Sequence, residues 1–159
     1  MEGDRRVAAE RMEAEGKMEP KEELQRARAA YFTALETGEE LENKKFTYAW
    51  CLIYMKDHEE IRTGITLLQE LAEIKSLQRE ALYYLAVAQY RLEMYMLARN
   101  TLKQLLAIDP NNKPALDLKA LIEHVLRKEG AIGLAVFSGG VAAAAGVALA
   151  VGAALVKRR

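Results

Sequence analysis

Between Lys21 and Lys128 apolar side chains return every three or four positions, the period of one helix face, and no run alternates as a strand pair would. Leu24, Ala27, Tyr31, Ala34 and Leu35 make the first stripe, and Gly38 follows it as a left-handed C-terminal residue. This predicts a helix over about 21–37, and a second is expected from about Leu41 to Lys56. Asp57 with Glu60 resembles a capping box that opens a third helix, about 58–74. Ser76 is expected to cap a fourth, about 77–92, and a turn near Glu93 leads to a fifth that Asp109-Pro110 ends. Asn112 and Pro114 open a sixth, about 113–128, with Leu118, Leu121, Ile122 and Val125 on one side.

These helices repeat. Residues 79–112 form a two-helix unit of 34 residues, with Leu85-Ala86 on its first helix, Tyr95 at its turn, Ala98 on its second helix and Asp109-Pro110 at its end. That is the tetratricopeptide pattern. One period earlier, in 45–78, Ile61 stands opposite Tyr95, Gly64 opposite Ala98, and Leu68, Leu71 and Ile74 opposite Leu102, Leu105 and Ile108. A small residue at the Gly64/Ala98 position lets the two helices of a hairpin approach, while leucines a turn apart fill the layer between hairpins. Two repeats are fewer than a stable stack needs, so helices 21–37 and 113–128 are expected to act as caps. The expected fold is all-α: a six-helix tetratricopeptide-like bundle over 21–130, concave on the side of the first helices, followed by one C-terminal transmembrane helix.

That last element rests on a change of pattern. Residues 131–156 carry no charge, and Ser138 is their only clearly polar side chain. As a helix the run would be about 39 Å long at roughly 1.5 Å per residue, against about 30 Å of bilayer hydrocarbon. A lone segment in lipid must satisfy its own amides, which a helix does. The alternative is a buried hydrophobic hairpin, but the run shows none of the polar edge a core helix keeps. Only Lys157, Arg158 and Arg159 follow, so a tail-anchored topology is expected, with 1–130 in the cytosol. The three basic residues flank the span and resist translocation; as a targeting tail they resemble outer-mitochondrial anchors. Gly140 with Ala144, Ala142 with Gly146 and Ala148 with Gly152 would let two such helices approach as a homo-oligomer, although so Gly/Ala-rich a run gives this spacing by chance.

Composition narrows the chemistry. In 159 residues, 23 Lys and Arg balance 23 Asp and Glu, and setting aside the basic tail leaves 20 against 23, a mildly acidic body that does not suit nucleic acid. Residues 1–20 lack the apolar stretch of a secretory signal and are expected to be a flexible charged arm. A competing expectation is that this arm folds over the concave face, with Val7, Met12 and Met18 as contacts. One cysteine excludes a disulfide framework, and Cys51, mid-helix with no histidine near in sequence, reads as a small core residue. His58 and His124 are too far apart for a local metal pair, and no phosphate-binding glycine loop occurs. Glu39-Glu40 and Glu59-Glu60 more simply favour helix N-termini than acid–base work. Neither an enzyme nor a cofactor is expected.

The stretches Phe46-Thr47-Tyr48-Ala49-Trp50-Cys51-Leu52, Ile61-Arg62-Thr63-Gly64-Ile65 and Tyr84-Leu85-Ala86-Val87-Ala88-Gln89-Tyr90-Arg91-Leu92 resemble the mitochondrial fission 1 protein family. Gln104-Leu105-Leu106, Asp109-Pro110 and Lys128-Glu129-Gly130 before a Gly/Ala-rich span continue the likeness, which covers about 40–159. Ala88 stands where many members have glycine. The resemblance implies a tail-anchored adaptor of the outer mitochondrial membrane and peroxisomes. Such an adaptor recruits a dynamin-related GTPase, directly or through a soluble intermediary.

The expected partner groove follows from the repeat. Tyr83, Val87, Tyr90 and Arg91 share the side of their helix that tetratricopeptide proteins turn inward. Phe46, Ala49 and Ile53 are the earlier equivalents, with Lys56 and Asp57 replacing the aromatic–Arg end. The resemblance adds Tyr84. Leu82, Leu85, Tyr48 and Leu52 are expected in the core. A second reading is a docking receptor for chaperone or import-client peptides, whose carboxylate clamp needs Lys, Arg and Asn on successive first helices; only Arg91 and Lys56 stand near those positions.

Overall fold

A computed structural model describes residues 2–17, 20–128 and 130. Among the described residues every regular element is a helix and there is no strand: α1 (Glu2–Lys17), α2 (Lys21–Thr37), α3 (Leu41–Ile53), α4 (His58–Ala72), α5 (Gln78–Arg91), α6 (Tyr95–Ile108) and α7 (113–128). The chain divides into two units, Met1–Glu123 and His124–Arg159; the described part of the second continues helical to 128. The expected span 131–156 and the tail Lys157, Arg158 and Arg159 lie outside the described residues. Among the described residues no helix is long and apolar enough to cross a membrane.

Among the described residues seven helices replace the expected six because Glu2–Lys17, expected as a flexible arm, is helical. Glu, Arg, Ala and Met are strong helix formers, Arg6 pairs with Glu10 one turn on, and Ala8 and Met12 are buried on one face. Charge density alone is a poor guide to order in such a segment. Val7 faces solvent, and Met18 is outside the described residues.

Helices α2 to α6 pack in sequence, each against the next, with α3 also touching α5. In α2, Leu24, Ala27 and Ala34 turn inward and Tyr31 stacks on Tyr48 of α3 at 5.4 Å, but Leu35 is exposed. Gly38 ends α2 at φ +76°, its N–H on the Ala34 carbonyl. Asp57 caps α4, accepting from the Glu59 amide at 2.9 Å, and Asn112 caps α7 by accepting from the Ala115 amide at 3.1 Å. Ser76 does not cap α5; Leu77 precedes it with no side-chain cap, and consecutive turns over 70–77 carry the chain across.

The 34-residue equivalence is visible in the packing. Ala98 is fully buried, and at Gly64 an added Cβ would stand 2.6 Å from Ile53 Cγ2, 3.1 Å from the Ala49 carbonyl oxygen and 3.2 Å from Leu52 Cβ. Leu68, Leu71, Leu102 and Leu105 are fully buried, and Leu52, Leu82 and Leu85 join them as expected, whereas Tyr48 is only half-buried. Two groups not anticipated complete the α5–α6 hairpin. Thr101 Oγ1 donates to Gln89 Oε1 at 2.8 Å in the interior. At the tip, Met94 N–H reaches the Gln89 carbonyl and Glu93 N–H the Tyr90 carbonyl, with Glu93 itself at φ +58° in a position glycine usually takes.

Candidate partner-binding cleft

Phe46 lies in the second turn of α3, Tyr83 and Tyr84 in the second turn of α5, and Pro114 in the first turn of α7. With Arg79, Glu80 and Asn112 they line a cleft of about 410 Å³. The aromatic wall is ordered edge to face, as ring quadrupoles favour: Phe46 meets Tyr84 at 5.8 Å and Tyr84 meets Tyr83 at 5.3 Å. The polar wall is held from behind. Asn112 donates to Asp109 Oδ2 at 3.1 Å while capping α7, and Arg79 approaches the same carboxylate at 3.7 Å. An apolar wall of rings facing a cation, an acid and an amide suits an extended polypeptide with alternating side chains.

The eight expected groove residues divide. Phe46, Tyr83, Tyr84, Tyr90 and Arg91 are part-exposed; Ala49, Ile53 and Val87 are fully buried and offer a partner no surface. The reason lies in the hairpin. Ile53 Cγ2 and the Ala49 carbonyl occupy the space a Cβ on Gly64 would need, so this side of α3 faces α4, and Val87 holds the register of Ile53 one repeat on.

Arg91 also differs from expectation. Its guanidinium donates to the Met55 carbonyl at 3.1 Å and lies 5.7 Å from the Tyr54 ring, tying the end of α5 to the end of α3. It is therefore committed within the fold rather than extended as a carboxylate clamp. Arg91→Ala is expected to lower the stability of the chain by about 1.5–3 kcal/mol, the range for a hydrogen bond from a charged donor. Urea denaturation measures this; an unchanged midpoint would return Arg91 to the list of partner contacts.

Sequence reasoning missed Arg79, Glu80, Asn112 and Pro114, although a signal existed. Phe46, Glu80 and Pro114 stand 34 residues apart, one register on three successive first helices, and extending the period into α7 finds Glu80 and Pro114 but not Arg79 or Asn112.

Cys51 is buried, and burial, with the Glu23 charge adding to it, pushes its thiol above the ordinary range, away from the reactive thiolate. Burial also raises Tyr90, so its phenol stays neutral. His58 is exposed, and the described residues hold no cluster of His, Cys, Asp and Glu fit for a metal.

Comparison with known proteins agrees with this register. The Fis1 N-terminal tetratricopeptide repeat family matches residues 45–73 and the Fis1 C-terminal tetratricopeptide repeat family residues 79–131. A mitochondrial fission 1 protein of Mus musculus is 36% identical over 140 residues, 87% of this chain and 92% of the relative. The crystal structure of Fis1 from Saccharomyces cerevisiae superimposes with a TM-score of 0.62 at 29% identity, over 74% of this chain and 90% of that one. Yeast Fis1 in complex with an Mdv1 fragment, containing its N-terminal extension and coiled-coil domains, gives 0.60 at 30% identity over 71% and 88%. Both repeats, their order and the helical stack are shared, and the chain thus belongs to the mitochondrial fission 1 protein family, whose tetratricopeptide-like fold binds proteins and is not enzymatic.

Proposed function

We propose that the chain is a single-pass, tail-anchored adaptor of the mitochondrial outer membrane, and of peroxisomes. Its N-terminus is cytosolic, and it recruits the dynamin-related fission GTPase directly or through a soluble adaptor. The observation that carries this reading is the part-exposed aromatic cleft of Phe46, Tyr83 and Tyr84, on a fold whose yeast relative has been solved with an Mdv1 fragment. Sequence supplies the tether: 131–156 is uncharged, long enough to span, and followed by Lys157, Arg158 and Arg159. Recruitment then needs no covalent step. Confining the cleft to a surface raises its local concentration there, so a weak peptide contact gathers the partner effectively.

Imaging the tagged full-length chain beside one truncated at Gly130 tests this. The full chain is expected to outline mitochondria and peroxisomes and gather the GTPase, and the truncated chain to be diffuse and to gather none. A truncated chain that still concentrates the GTPase on organelles overturns the reading.

A further inference from the structure

We infer that the turn between α5 and α6 is a second, peripheral membrane contact, laying Met94, Met96 and Leu97 on the lipid headgroup boundary. The inference rests on the reading of 131–156 as a span.

Met94 is 38% exposed and Met96 and Leu97 are each 52% exposed, three large apolar side chains within four positions. Single exposed apolar residues are ordinary, but a contiguous group marks a contact surface. Helical side chains lean toward their own N-terminus, so Met96 and Leu97, in the first turn of α6, tilt toward the end of the bundle where the turn lies. The neighbouring α3–α4 turn differs: Lys56, Asp57, His58 and Glu59 are exposed there, and none is apolar.

Chain length names the occupant. The connection from α6 to α7 is the short stretch 109–112, so the part of α7 within the first unit runs back antiparallel to α6, its Leu118, Leu121 and Ile122 buried. Glu123, the last residue of that unit, therefore lies toward the end that carries the α5–α6 turn. From Glu123 to Ala131 the chain spans about 12 Å as a helix and no more than about 29 Å fully extended. A tether of that length leaves the end of the unit no more than about 29 Å from the start of the span, whichever path it takes. An apolar tip within that reach of lipid has a bilayer as its ready occupant, and the tether makes even weak insertion effectively intramolecular. Methionine and leucine suit a shallow insertion of about 5–10 Å.

The test uses the full chain in a Cys51→Ala background, with a fluorophore at Met96→Cys or at Ser76→Cys, an exposed site in the turn between α4 and α5. The protein is reconstituted into phosphatidylcholine vesicles containing a nitroxide lipid, and flotation is measured on the same sample. Flotation with loss of more than about half the fluorescence at 96, and little at 76, is the expected result for shallow insertion. Flotation with equal quenching at both sites overturns this inference alone and leaves the turn to a protein partner. Failure to float overturns the span and, with it, the inference.

Discussion

Gly64→Val is expected to unfold the body or bring it close to unfolding. The Cβ alone would sit 2.6 Å from Ile53 Cγ2 and 3.1 Å from the Ala49 carbonyl oxygen, and Ile53 and Ala49 are fully buried with no solvent side to retreat into. The carbonyl belongs to helical backbone, so relief requires α3 and α4 to separate as rods, which opens the contact between these two helices. Alanine would recover about 1 kcal/mol of helix propensity over glycine, against an overpacking cost of about 1–3 kcal/mol, and should be mildly destabilising. Valine loses most of that propensity gain and adds two methyl groups to the same clash. Its loss should exceed about 3 kcal/mol, a large share of the roughly 5–15 kcal/mol that holds a domain of this size. Urea denaturation of the chain in detergent, followed by far-ultraviolet circular dichroism, measures both variants. A valine variant with a near-native midpoint would mean that α3 and α4 do not pass so closely at Gly64.

That glycine was legible because its reason is steric and recurs one period later at Ala98; repetition turns a small residue into a statement about helix distance. The stripes of α2 to α7 were legible for a similar reason, since burial of one face dictates the spacing. What escaped were features with no period. The Gln89–Thr101 hydrogen bond joins polar side chains twelve positions apart that only the closed hairpin brings together. Ser76 looked like a cap because of its residue type, yet the α4–α5 passage is made by backbone turns, which no single side chain announces. In α1 two buried residues, Ala8 and Met12, carry too little apolar signal against the surrounding charge. The cleft was legible in part. Its aromatics fell on the right helices, but a helical wheel cannot tell the side of α3 that faces the hollow from the side that faces α4. Arg91 shows the same limit: its position in the repeat is readable, its bond to the Met55 carbonyl is not.

This division of one helix face into two roles sets the second large effect. On the proposed role, Phe46→Ala and Tyr83→Ala should each weaken partner binding by about 30-fold, the loss of roughly 2 kcal/mol expected when a central aromatic anchor is truncated. Their effect on stability should be smaller than that of a core truncation, because both rings line the cleft and are part-exposed. Ile53→Ala should behave oppositely: it empties a fully buried site against Gly64 and costs about 2–5 kcal/mol of folding. Its binding, measured on the fraction that remains folded, should be near normal, and Val87→Ala should follow it in kind with a smaller loss for the smaller side chain. Tyr84→Ala should show both effects, since that ring contacts Phe46 on one side and Tyr83 on the other. The measurement is a pair of titrations on each variant, urea for folding and the partner for binding. If Phe46→Ala binds normally while Ile53→Ala, fully folded, does not, the partner reads a surface other than this cleft. The aromatic wall would then serve only to hold α3 against α5.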